Sequence, residues 1–114
     1  MSVSFKGINE QVVTFRTDEE LAAGTLVTVS DNGTVSACPA NGKIVGVVVS
    51  CRGNLAAVQI SGYITLPYSG SAPALGVTAI AAASDTKIKA DATNGKLVTV
   101  LEADTAALTA GILL

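Results

Sequence analysis

Apolar and polar residues alternate with period two along much of this chain, and turn residues cut the alternation at short intervals. The clearest run is residues 55–66. Val58, Ile60, Ile64 and Leu66 fall on one face, while Gln59, Ser61, Tyr63 and Thr65 fall on the other. A period of two over that length predicts a half-buried strand, and Gly62 in its middle predicts a bulge or a bend. Residues 44–49 are apolar on both faces, interrupted by Gly46 alone. Such a strand is expected to be sandwiched in a core or covered by a partner. Further strands are predicted over residues 26–29, 35–38, 44–51, 77–82, 87–90, 97–101 and 110–114.

Between these runs stand strong turn signals. Asn-Gly occurs at Asn32-Gly33, Asn41-Gly42 and Asn94-Gly95. The pair favours a type I′ hairpin, whose two central residues both need positive φ. Arg52-Gly53-Asn54 is a fourth turn candidate. Only two stretches admit a helix. One is residues 18–23, with Thr17 as cap and Glu20 three residues later; the other is residues 104–108, which read better as a turn. The expected fold is therefore all-β, a small β-barrel or sandwich of antiparallel hairpins.

A repeat runs through the pattern. Val35-Ser36-Ala37 followed by Asn41-Gly42-Lys43-Ile44-Val45-Gly46-Val47 returns, 53 residues later, as Ile88-Lys89-Ala90 followed by Asn94-Gly95-Lys96-Leu97-Val98-Thr99-Val100. Two related β-modules, about 24–66 and 75–114, would produce it, and so would convergent hairpin chemistry. Residues 1–20 differ from the rest, holding six of the sixteen charged residues and both phenylalanines. They are expected to form an extended N-terminal arm ahead of a single β domain at 21–114. Phe5, Ile8, Val12 and Phe15 would be the arm's apolar anchors on a neighbouring subunit. An edge strand of the same chain is the other reading.

Composition narrows the function. At 114 residues the chain fits one domain. Charged residues make up 14%, against ~25% for an ordinary soluble domain. Apolar residues reach 49% with aromatics at only 4%, so the apolar content is Val, Ala, Leu and Ile. A small domain this poor in charge is expected to bury part of its apolar surface against another subunit. The net charge is −2 and the seven basic residues are scattered. No basic patch is present, which argues against a nucleic-acid partner. Residues 53–84 carry no charge, but Gly62, Pro67, Gly70, Pro73 and Gly76 break them up, so no spanning helix fits and no membrane partner is expected. Residues 1–11 have neither the basic nor the apolar region of a leader, so the chain is expected to be made and kept in a cytoplasm.

Enzyme chemistry is not expected. There is no histidine, which removes Ser-His-Asp and Cys-His arrangements. No phosphate-binding glycine motif is present. Cys38 and Cys51 match no redox or zinc spacing; they read as two free thiols, with a disulfide across neighbouring strands the alternative. Glu102 and Asp104 sit two apart and could share a face, but they read as surface carboxylates rather than a cation site. Lys43 and Lys96 follow Asn-Gly turns without the apolar setting of a carrier lysine. No catalytic residue, cofactor or metal is assigned.

From Gly24 onward the chain resembles the capsid decoration, or head-stabilising, proteins of tailed phages, including a family long catalogued as a domain of unknown function. The matching pieces are Gly24-Thr25-Leu26-Val27-Thr28-Val29, then Gly46-Val47-Val48, then Gly62-Tyr63-Ile64-Thr65-Leu66-Pro67, and the closing Ala110-Gly111-Ile112-Leu113-Leu114. Phe5-Lys6-Gly7-Ile8-Asn9 also looks like the opening of such proteins. The resemblance implies a compact β-barrel or sandwich that binds the outside of an assembled icosahedral shell on the virion, where major capsid subunits meet, often as a homotrimer. It brings no catalytic residues. A competing class is a non-catalytic glycan- or receptor-binding module, for which Tyr63 and Tyr68 are the available aromatics; Tyr68 joins the four arm residues as a candidate partner contact.

Overall fold

Ten strands and no helix make up the computed structural model of this protein, which describes residues 10–93 and 95–114. They are β1 (Gln11–Arg16), β2 (Leu26–Asp31), β3 (Thr34–Ala37), β4 (Gly46–Arg52), β5 (Leu55–Ser61), β6 (Tyr63–Pro67), β7 (Gly76–Ala82), β8 (Ile88–Ala90), β9 (Lys96–Asp104) and β10 (Thr109–Leu113). The first five close into a barrel in the order β1-β3-β2-β4-β5; the last five form a sheet in the order β6-β10-β9-β7-β8. Among the described residues no helix is long and apolar enough to cross a membrane.

The two sheets are the same fold used twice. Read around the barrel, each strand of the first unit has the neighbours that its counterpart has in the second, with the same sense. β2–β3, β2–β4, β4–β5 and β5–β1 are antiparallel, as are β7–β8, β7–β9, β9–β10 and β10–β6. The barrel closes through a parallel contact of β1 with β3 at Arg16–Thr34, and the second sheet makes the matching parallel bridge between Tyr68 and Ile88. Even the irregularities agree. β4 bulges between Val48 and Ser50 against β5, and β9 bulges between Val100 and Glu102 against β10. The strand pairing divides the chain at Gly62, between β5 and β6, where modules were expected at about 24–66 and 75–114. The bulges equate Val48 with Val100, one residue out of step with the Asn-Gly-Lys repeat. A one-residue slip exchanges the faces of a strand, so the sequence repeat marks the right elements in the wrong register.

The long run at 55–66 splits at Gly62 into β5 and β6, one in each unit. Gly62 has φ 94°, open to glycine and costly for residues with a Cβ. The buried Gln59 side chain braces the bend, its Nε2 donating to the carbonyls of Ser61 and Tyr63 at 3.1 Å each. Of the segment expected as an arm, residues 11–16 are instead β1, which pairs with β5 and β3 and closes the first barrel. Thr17 does not start a helix at 18–23: its hydroxyl donates to the Glu19 carbonyl at 2.8 Å and caps a turn.

The Asn-Gly expectation holds in part. Asn32-Gly33 joins β2 to β3, but only Gly33 is left-handed, and a bulge between Val29 and Asp31 supplies the twist that a type I′ turn would give. Asn41-Gly42 is not a hairpin, because β3 and β4 are separated by β2. There the Gly42 amide donates to the Pro39 carbonyl at 2.9 Å and Asn41 takes φ 66°. This loop docks on the second unit: the Asn41 amide donates to the Ala82 carbonyl at 2.8 Å, and the Lys89 ammonium donates to the Asn41 side chain. Asn94 lies outside the described residues; β8 and β9, on either side of it, are not paired.

Two cores result. Val27, Val35, Val48, Ala56 and Val58 fill the first barrel, with Leu21, Phe15 and Ile60 against them. Ile80, Ile88, Val98, Val100, Ala110 and Ile112 fill the second unit, and Leu26, Cys38, Ile44 and Val47 of the first unit join that same cluster. β4 is therefore the shared wall, with Val48 facing one core and Val47 the other. That is why residues 44–49 are apolar on both faces.

Candidate docking surface

The residues expected to contact a partner do not come together. Phe5 and Ile8 lie outside the described residues. Val12, on β1, is 47% exposed. Phe15, on the same strand, is partly buried and packs on the first barrel's core, so it anchors its own unit. Tyr68 is only 3% exposed within the second core. It is not an exposed contact, because the chain turns inward after Pro67 to make the Tyr68–Ile88 bridge.

A different surface stands out. On the β7–β9 pair, Val77 is opposite Thr99 and Ala79 is opposite Leu97. Residues directly opposite share a face, and this one points away from Val98 and Val100 in the core. Val77 is 72% exposed and Leu97 70%; Leu75, just before β7, is 69% exposed. A strand pair built from Val, Ala, Leu and Thr normally turns one face to a core and a polar face to water. Here both faces are apolar. β9 carries the signal in its sequence: Leu97-Val98-Thr99-Val100-Leu101 is nearly as two-sided as residues 44–49.

Between the units lies an apolar cleft of about 380 Å³, lined by Val47, Val49, Ile64, Leu66 and Pro67 among others. No titratable side chain lines it. A smaller polar hollow of about 170 Å³ is lined by Thr65, Glu102, Asp104 and Thr109. Its carboxylates already have partners. The Tyr63 hydroxyl donates to Glu102 Oε1 at 2.6 Å and accepts from Thr65 Oγ1 at 3.3 Å. Its bond to Glu102 holds the Tyr63 hydroxyl above its ordinary pKa, because the carboxylate stabilises the protonated phenol. Asp104 Oδ1 accepts the amides of Ala106 and Ala107 at 3.0 Å each and shapes the turn before β10. No group of three or more metal-ligating side chains occurs among the described residues.

Both cysteines are free. Burial pushes the Cys38 thiol up to about 11, and its Sγ lies 3.5 Å from the Lys43 carbonyl. Cys51 Sγ accepts the Leu21 amide at 3.4 Å. The chain matches no protein-family model, no curated protein and no solved structure.

Proposed function

We propose that this chain is a structural protein that binds the outside of an assembled tailed-phage capsid and stabilises it by protein–protein packing. The observation that carries this reading is the exposed apolar face of β7 and β9, whose Val77 and Leu97 stand 72% and 70% exposed on an all-β body. An apolar face of this kind marks a site of protein association. The segments that resemble decoration proteins support the reading too. Residues 24–29 lead into and form most of β2, residues 46–48 open β4, residues 62–67 form the bend and β6, and residues 110–114 close the chain through β10.

The mechanism is linkage. A protein that binds the expanded shell and not its competing states stabilises that shell by RT ln(1 + [L]/Kd) per site. Repetition over an icosahedral lattice multiplies a modest affinity through avidity. The partners are then the major capsid protein and other copies of this chain, a trimer fitting the threefold positions of the shell. The site of action is the virion surface, after synthesis in the bacterial cytoplasm. The glycan-binding alternative loses ground: Tyr68 is buried and the Tyr63 hydroxyl is engaged by Glu102.

Mass spectrometry of purified virions, from a phage or induced prophage that encodes the chain, tests the proposal. The chain should be present in stoichiometric proportion to the major capsid protein. Particles that lack it would contradict the proposal.

A further inference from the structure

The chain's Asn-Gly pairs are held very differently. Asn32 and Asn41 are both exposed, yet only Asn41-Gly42 is pinned in place. Its Gly42 amide donates to the Pro39 carbonyl at 2.9 Å, and the Gly42 carbonyl accepts the Ala82 amide at 3.2 Å. The Asn41 amide donates to the Ala82 carbonyl at 2.8 Å, and the Lys89 ammonium holds the Asn41 side chain. A Cβ on Gly42 would lie 2.7 Å from the Pro39 oxygen, so the surroundings are tight as well. At the β2–β3 turn the reverse is true. Among the described residues, neither the Gly33 amide nor the Asn32 side-chain amide has a hydrogen-bond partner. A Cβ built on Gly33 would meet nothing within 4 Å. What Gly33 does supply is its carbonyl, which accepts the Arg16 amide at 2.9 Å. That bond stands beside the Arg16–Thr34 pairing, through which β1 meets β3 and the first barrel closes.

We propose that Asn32 is a site of spontaneous deamidation, and that the isoaspartate formed there loosens the seam of the first barrel. The reaction needs only water and base. The Gly33 nitrogen gives its proton to hydroxide and attacks Asn32 Cγ. The bond from Cγ to Nδ2 then breaks, and ammonia leaves with a proton taken from water. A cyclic succinimide remains. Water opens it at Cγ to give aspartate, or at the α-carbonyl of residue 32 to give isoaspartate, whose backbone runs through the former side chain. The Gly33 nitrogen and the Asn32 side chain can meet without first giving up a hydrogen bond. At Asn41-Gly42 the bonds that satisfy both groups must be released first. The product at position 32 has a structural cost. Asp31 is the register partner of Thr34, so Asn32 and Gly33 alone span the turn. Isoaspartate lengthens that short span by a backbone atom and shifts the Gly33 carbonyl off the Arg16 amide, because so short a hairpin loop tolerates few backbone geometries. Deamidation also adds a negative charge to a chain whose net charge is −2.

The experiment is ageing of the full chain at mildly alkaline pH, both folded and in urea, followed by peptide mapping with mass spectrometry that separates aspartate from isoaspartate. In the folded chain Asn32 should convert at least ~10-fold faster than Asn41, the factor that the hydrogen bonds holding Asn41-Gly42 supply. In urea the two sites should convert at similar rates, since each is an Asn-Gly pair freed of its surroundings. The aged folded chain is then resolved on an anion exchanger, and its amide exchange is followed by nuclear magnetic resonance. In the isoaspartate form the Arg16 amide should exchange ~10-fold faster than in the unaged chain, as the loss of one hydrogen bond predicts. Freshly prepared Asn32→Asp has the added charge on an ordinary backbone and should exchange at Arg16 like the unaged chain. Equal conversion of Asn32 and Asn41 in the folded chain overturns the inference. So does an isoaspartate form whose Arg16 amide is as slow as in the unaged chain, or an Asn32→Asp chain whose Arg16 amide is just as fast as in the isoaspartate form.

Discussion

Leu26→Ala is the substitution that best probes how the two units are joined. Leu26 belongs to β2 of the first barrel, yet its fully buried side chain sits in the second unit's cluster with Ile80, Val100 and Ile112. Truncation removes three carbons, about 2.4 kcal/mol at ~0.8 kcal/mol per buried methylene. The cavity left behind raises the total to about 3–4 kcal/mol. A chain of 114 residues has a stability of roughly 6–17 kcal/mol at ~0.05–0.15 kcal/mol per residue, so the fold should survive, weakened. With a urea slope of ~2 kcal/mol per molar, the midpoint should fall by about 1.5–2 M. Leu55→Ala makes the same chemical change at a half-exposed site and should shift it by no more than about 0.5 M. The assay is urea denaturation followed by far-ultraviolet circular dichroism and by tyrosine fluorescence. Both tyrosines lie in the second unit and there is no tryptophan. Fluorescence therefore reports on the second unit, while circular dichroism reports on both. The two probes should shift together in one transition. Two separate transitions, or equal losses for Leu26→Ala and Leu55→Ala, would refute the idea of a core shared across β4.

The other predictions are narrower. Gly46→Ala should destabilise the chain by about 1–3 kcal/mol, because a Cβ there would press on the Gln59 carbonyl oxygen and on Val58 Cγ1 across the β4–β5 pair; an unchanged urea midpoint would show that the two strands are farther apart. The Tyr63 phenol is raised by its bond to Glu102, so the stability this contact gives is complete below the ordinary tyrosine range of ~10 and is lost as pH rises through the ionisation of folded Tyr63. Tyr63→Phe should cost under about 1 kcal/mol at neutral pH, with the gap to wild type closing in alkali; a gap that widens there would reverse the assigned direction. With a thiol reagent at pH 8, the native chain should expose one fast site at Cys51, while Cys38, buried and held up to about 11, reacts only on unfolding because its thiolate fraction is ~10⁻³. A Cys51→Ala chain that still labels quickly would contradict this.

The sequence pattern carried most of the fold because the strands are short, alternate cleanly and end at turn residues. The two-sided run at 44–49 was informative in its own right: it foretold the strand that separates two cores. β1 was less legible. Gln11–Arg16 is largely exposed, so no buried face shows in its pattern, and the backbone pairing that holds it leaves no trace in residue type. The β3–β4 loop misled for a related reason. Asn-Gly reports a local preference for positive φ, which Asn41 satisfies, but which strands then pair is decided by distant contacts. The docking face was hidden in plain view. Leu97 and Val77 look like core residues in a list of strands, and only the register of β7 with β9 shows that they point outward. Tyr68 is the converse case: an aromatic in a Gly-Ser-Pro loop reads as exposed until the parallel bridge to Ile88 draws it into the core.

The central claim, that this chain works by binding an assembled shell, is tested most directly by a binding isotherm. Expanded heads of a tailed phage or induced prophage whose genome encodes the chain, prepared without it, would be sedimented with increasing amounts of purified protein. The account predicts saturation at a fixed ratio of copies to capsid subunits, no binding to unassembled subunits, and heads that withstand higher temperature once saturated. Binding that never saturates, or that is equal for assembled and unassembled capsid protein, would contradict it.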